Sequence, residues 1–184
     1  MDEQFEFLRL VVHRLDLFGV PYMLSGSVAL SLYAEPRMTR DIDFVVDLEE
    51  GSVSSFVAAF SRDCYVDEEA VLEAVKRRGV FNIIHSEWVI KADFVVRKDA
   101  PFSKEEFERR VVLETLDFPL RVVTPEDLLL AKLKWAKDSS SELQQHDIVN
   151  LLRSQTALDW KYIGRWAGVL EVEELLETLR AAND

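Results

Sequence analysis

One cysteine, Cys64, is all the thiol this chain has, which excludes an intramolecular disulfide and a cysteine-rich zinc site. No apolar run approaches the roughly 20 residues needed to span a bilayer. The first ten residues, MDEQFEFLRL, are acidic and amphipathic, unlike a secretory leader. Together these absences lead to the expectation of a cytoplasmic protein with no membrane partner. Positive charge is also scarce: 22 Lys and Arg stand against 34 Asp and Glu, a net charge of −12. Affinity for long RNA or DNA rests on cations meeting phosphates, so extended nucleic acid is not the expected partner, although a local basic patch remains compatible. The histidines His13, His85 and His146 have no metal-ligand spacing, and neither a Walker-type loop nor a dinucleotide fingerprint occurs.

What the chain does have is enough apolar residue, 48% of its 184, to fill the core of about one domain. It also has one stretch around which the rest is arranged. Residues 25–43 read SGSVALSLYAEPRMTRDID. The apolar run Tyr22-Met23-Leu24 stops at Gly26-Ser27, an apolar helical segment follows, Pro36 breaks it, and Asp41-Ile42-Asp43 heads a second apolar run. The pattern predicts strand, glycine turn, short helix, loop, strand. Gly26 lets backbone approach a ligand, and helical N–H groups after it suit an anion. Asp41 and Asp43, two apart on a strand, share one face about 6–7 Å apart. Carboxylates that close repel unless something positive lies between them, and a hard cation such as Mg²⁺ meets that need.

Around this stretch, residues 4–18 are spaced as an amphipathic helix ended by Gly19. Helices are expected over 49–60, at the surface, and over 67–78, stopped by Gly79. Strands are expected at 81–84 and 87–96 with a turn near His85-Ser86. A short charged helix near 103–109 and strands at 111–114 and 120–123 follow. Thr124-Pro125-Glu126-Asp127 marks a helix start, with threonine as cap, proline first and acids in the first turn. That helix runs to about Lys137, a polar loop covers 138–141, and helices near 142–153, 159–167 and 170–182 close the chain. The expected fold is α/β (α+β): a small mixed, partly antiparallel sheet flanked by helices. The change to all-helix near 124 divides it into a core, 1–123, and a C-terminal helical lobe, 124–184.

Three further positions carry chemistry. Alternation in 88–96 puts Lys91, Asp93 and Val95 on one face and Ala92, Phe94 and Val96 on the other. If this strand lies beside 41–46, Asp93 joins Asp41 and Asp43, a cluster of the kind that holds two metals; otherwise it is a solvated edge residue. Lys132 sits on an apolar helical stripe with Leu128, Leu129, Trp135 and Ala136, where lysine needs a partner. Asp147, between Leu143 and Leu151 on the next helix, is that partner, either aiming the lysine into a cleft or merely bridging two helices. Lys134 reads as solvated, Trp135, Trp160 and Trp166 read as core, and Arg37 and Arg40 are candidates for phosphate or for solvent.

Gly26-Ser27, thirteen residues, then Asp41-Ile42-Asp43 before an apolar strand resembles the signature of the polymerase-β-like nucleotidyltransferase superfamily. YMLSGSVALSLYAEPRMTRDIDFVV, with TPEDLLLAKLKWA and HDIVNLL, is similar to the AbiEii-type nucleotidyltransferases of toxin–antitoxin systems over about residues 20–152. The resemblance implies the nucleotidyltransferase fold. It implies a nucleoside triphosphate held by Gly26 and Ser27 with Lys132 on its phosphates and Asp147 in support. It also implies Mg²⁺ on Asp41 and Asp43, and Asp93 sharing a metal and helping to deprotonate a hydroxyl acceptor. That acceptor would be a protein, an RNA end or a small molecule, and an antitoxin protein would be a partner. A catalytically weak nucleotide-binding or partner-binding module that keeps the fold is the competing expectation.

Overall fold

The computed structural model describes residues 3–114, 118–139 and 141–181. The described strands form one sheet in the order β3-β4-β5-β2-β1-β7-β6. Its centre is β1 (Tyr22–Ser25), β2 (Asp41–Val46) and β5 (Lys91–Val96). β1 runs antiparallel to β2, and β2 runs parallel to β5, with Asp43 beside Asp93 and Phe44 beside Phe94. β4 (Val80–His85) and the two-residue β3 (Cys64–Tyr65) extend one side. β7 (Pro119–Val122) and β6 (Val111–Glu114) extend the other.

The period of two divides the sheet into an apolar and a polar face. Ile42, Phe44, Val46, Ala92, Phe94 and Val96 are all fully buried on the first. Phe94 stacks between Phe44 and Phe81 at centroid distances of 5.4 and 5.1 Å, and Phe56 meets Phe81 and Phe94 edge-on. Phe56 belongs to α3 (Val53–Phe60), whose Val53, Phe56 and Phe60 are buried. That helix, entered through a 3-10 turn at Glu50–Ser52, is thus seated on the core rather than a purely surface element. α1 (Glu3–Leu17) buries Phe7, Leu8, Val11, Val12 and Leu15, and α4 (Glu68–Arg77) buries Val71, Ala74 and Val75.

The opposite face carries the site. It is flanked by α2 (Gly26–Leu30), α5 (Pro101–Arg109), α6 (Pro125–Ser139) and α7 (Glu142–Ser154), with α8 (Trp160–Leu170) and α9 (Glu173–Ala181) beyond. Thr124 starts α6 as a cap: its Oγ1 accepts from the Asp127 N–H and donates to Asp127 Oδ2 at 2.6 Å.

Several boundaries differ from the sequence reading. Helix α2 ends at Leu30; residues 31–33 form a turn in which the Ser31 hydroxyl donates to the Val28 carbonyl. Asp138 and Ser139 are the last residues of α6 rather than a loop, while Ser140 and residue 182 lie outside the described residues. At the end of α4 the left-handed residue is Arg78, with φ 52°, and Gly79 follows it, donating to the Ala74 carbonyl.

Candidate active site

The glycine turn is fixed by its contact with β2. Gly26 has φ +64°, and a Cβ there would lie 1.9 Å from Asp43 Oδ2, so a side chain is excluded on both counts. Ser25 is register partner of Asp43. Two residues on, the Ser27 backbone N–H favours the charged form of the Asp43 carboxylate. The turn and the second aspartate of the Asp-x-Asp pair therefore form one rigid piece.

Asp41, Asp43 and Asp93 lie on the same face of adjacent strands, as their alternation predicts. The sequence reading leaves Lys91 without a role, yet its ammonium lies 2.7 Å from Asp93 and 3.5 Å from Asp41. Burial, then the negative charge of Asp93, pushes the Asp43 carboxyl above its ordinary range, against the Ser27 N–H and the nearby Lys132. The hydrogen bond to Asp93 holds Lys91 more firmly protonated than usual. Among the described residues, no group of three His, Cys, Asp or Glu side chains is preformed as a metal cage. The donor set nonetheless suits a hard divalent cation: the candidate ligands are all carboxylate oxygens, crowded by like charge, with one lysine ammonium between two of them.

Across from this face, a buried network ties four elements together. Asp147, with no exposed surface, accepts from Arg37 Nε at 2.7 Å, Arg37 Nη2 at 2.9 Å and Lys132 Nζ at 2.8 Å. Lys132 also donates to Gln144 Oε1 at 3.2 Å, and Arg37 Nη2 donates to Ser27 Oγ at 2.5 Å. Burial opposes the charge on Asp147, but the bonds from Arg37 and Lys132 outweigh it and hold the carboxyl below its usual range. Burial pulls Lys132 down despite Asp147. Lys132 and Asp147 thus pair as the helical spacing suggests, and Arg37, read as a phosphate or solvent residue, is instead a second clamp on Asp147.

A cavity of about 430 Å³ opens between the polar face of the sheet and α5–α7. Gly26, Ser27, Asp43, Lys132 and Gln144 line one part; Phe102, Ser103 and Glu106 of α5 line another. Four cations, Arg97, Lys98, Lys132 and Lys134, and three acids, Asp43, Glu106 and Asp138, line it. Cations outnumber acids by one there, in a chain of net charge −12, a slight excess compatible with an anionic ligand.

Other residues stand where the sequence did not put them. Trp135 is 60% exposed and lines the cavity instead of filling the helical core; Trp160 is also exposed, and only Trp166 of the three is buried. Lys134 is half-buried on the cavity wall rather than solvated. His146 is exposed and not part of the wall, while His85 is buried, stacked on Trp88 at 3.9 Å. Glu106 and Asp127 are buried acids that sequence reasoning missed. Asp127 accepts from Tyr162, Thr124 and Arg109, locking α5, α6 and α8 together. Its first-turn position resembled ordinary helix-end charge, which concealed it.

The sequence matches, over residues 9–157, the model of the family described as nucleotidyl transferase AbiEii toxin, type IV TA system. No curated protein sequence matches it significantly. Among solved structures, an antigenic nucleotidyltransferase-like protein from Paracoccidioides brasiliensis superposes with a TM-score of 0.59 at 13% identity, over 97% of this chain and 92% of its own. A Thermotoga maritima protein assigned as a nucleotidyltransferase gives 0.54 at 18% identity, over 78% and 91%. The lincosamide antibiotic adenylyltransferase LnuA, lincomycin-bound, gives 0.52 at 15% identity, over 80% and 97%. At these identities the structures establish the fold, and the family match covers most of the chain. The chain is a nucleotidyltransferase and belongs to the AbiEii family of toxin–antitoxin systems.

Proposed function

We propose that this chain moves a nucleoside monophosphate from a nucleoside triphosphate to a hydroxyl acceptor in a Mg²⁺-dependent reaction, as the toxin partner of an antitoxin protein. The observation that carries the reading is the side-by-side register of Asp43 and Asp93 beneath the Gly26-Ser27 turn. In this reading the turn and Lys132 receive the triphosphate. Asp147 is a positioning residue that aims Lys132 and Arg37. Asp41, Asp43 and Asp93 are the residues that would hold the cation, which when bound neutralises phosphate charge and stabilises the leaving group.

The acceptor oxygen attacks the α-phosphorus in line, the bond to the bridging oxygen breaks, and pyrophosphate leaves with the electron pair. The hydroxyl proton passes to Asp93. The chain's part is therefore mostly positioning and charge balance, which is what phosphoryl chemistry asks of a protein. The strong negative charge favours a protein or small molecule over long nucleic acid as acceptor.

The test is label transfer from α-labelled nucleotides to candidate acceptors with Mg²⁺ or chelator, in wild type and Asp43→Asn. The reading expects transfer only in wild type with Mg²⁺. Transfer that persists in Asp43→Asn overturns the role given to the carboxylates.

A further inference from the structure

The cavity extends away from the outer carboxylates. Asp43 lines it, and its wall continues along the strands through Val45, Val95 and Arg97, whereas Asp41 and Asp93 are outside it. The Asp41 side chain is 47% exposed, so the side of Asp43 towards Asp41 is open to an incoming acceptor. A triphosphate at Gly26, Ser27 and Lys132 then leaves the rest of its nucleotide the space between α5 and α6.

That space has apolar walls. Leu128, Ala131 and Trp135 recur at helical spacing along one side of α6, facing Phe102 of α5. Trp135 keeps 60% of its surface exposed beside the cavity, an uncovered aromatic face. Between these walls lies a buried acid, Glu106, only 8% exposed, while Asp138 of α6 lines the cavity as an exposed one. Glu106 makes no hydrogen bond or ion pair with the described residues, and its oxygens are not among the fully enclosed unpaired atoms, so they face the cavity.

We propose that the α5–α6 end of the cavity is a nucleobase subsite, in which the base stacks on Trp135 and Glu106 hydrogen-bonds the base edge. This rests on the nucleotidyl-transfer reading above and names the part of the site that holds the base. Burial and the negative charge of Asp127 push the Glu106 carboxyl up to about 8, with Lys134 opposing. Near neutrality it is therefore an acid with one donor and one acceptor, matched to a ring nitrogen and its neighbouring exocyclic group on a base. Inorganic triphosphate has nothing for either residue to hold.

The test titrates the full chain, with Mg²⁺, with non-hydrolysable nucleoside triphosphates of each base and with inorganic tripolyphosphate, read by calorimetry and tryptophan emission. Glu106→Gln keeps one donor and one acceptor; Glu106→Met fills a similar volume with neither. We expect Glu106→Met to weaken the preferred nucleotide by about 10- to 100-fold, the scale for an unmade polar contact to a ligand, and to leave tripolyphosphate binding unchanged. Glu106→Gln retains most of the nucleotide affinity, and nucleotide quenching of emission disappears in Trp135→Leu. Unchanged nucleotide affinity in both Glu106→Met and Trp135→Leu, or equal weakening of tripolyphosphate, overturns the subsite while leaving nucleotidyl transfer intact. Failure of nucleotides and tripolyphosphate alike to bind wild type overturns both.

Discussion

Replacing Asp147 by asparagine keeps the shape of the side chain and removes a charge that two cations share. Lys132, with 4% of its side chain exposed, would then face a neutral amide, and Arg37, with 23% exposed, would lose its bidentate partner. Removing one member of a buried ion pair costs about 3–5 kcal/mol, because the remaining charge stays desolvated. Lysine has an escape: it can shed its proton, which at pH 7 caps its share at about 4–5 kcal/mol, and burial already pulls its pKa down. We therefore expect Asp147→Asn to lose about 3–4 kcal/mol at pH 7 in urea unfolding, or about 6–16 °C in Tm for a chain of this size. The loss shrinks at pH 9, where Lys132 in the variant releases its proton more easily. Adding Lys132→Met to Asp147→Asn should recover part of the stability, since the uncompensated ammonium is gone. A loss under about 1 kcal/mol, or a double variant as unstable as the sum of its parts, would refute the buried-pair reasoning.

Two other outcomes follow from single positions. Gly26→Ala places a methyl group on Asp43 and should abolish label transfer, whereas Gly19→Ala, with φ +65° but nothing within 4 Å, should cost about 1–2 kcal/mol of stability and keep activity; equal activity in the two variants would contradict the contact. Glu106, raised from 4.5 to about 8 in the folded chain, stabilises the fold fully below pH 4.5 and loses that contribution as pH rises towards 8, by about 4–5 kcal/mol in all. Glu106→Gln should remove that slope from chemical melts taken between pH 5 and 8, and an unchanged slope would show that the carboxyl is not buried as described.

What could be read in advance was what has a period. DIDFVV and KADFVV share an alternation, and in the sheet they lie in register, residue for residue, with their aspartates on one face. Lys132 and Asp147 announced themselves by interrupting apolar stripes, and they meet at 2.8 Å. Lys91 did not, because on an alternating strand it falls on the polar face beside Asp93, where lysine is unremarkable; only the parallel pairing of β2 with β5 brings it to Asp41 as well. Trp135 looked like core because it follows Lys132 at helical spacing, yet the stripe there faces a cavity rather than another helix. Glu106 and Asp127 sit in helices rich in charge, and their burial depends on how α5, α6 and α8 pack, which no local pattern encodes. The two-residue β3 is too short to leave a periodic signal at all.

The claim that everything else depends on is that the polar face of β2 and β5 is a cation-dependent reaction centre. Paramagnetic resonance of Mn²⁺, titrated with a non-hydrolysable nucleoside triphosphate, reads it directly in wild type, Asp43→Asn and Asp93→Asn. Nucleotide-dependent Mn²⁺ binding in wild type, weakened at least about tenfold in each variant, is the predicted result. Equal binding in all three proteins would contradict it and move the chemistry elsewhere.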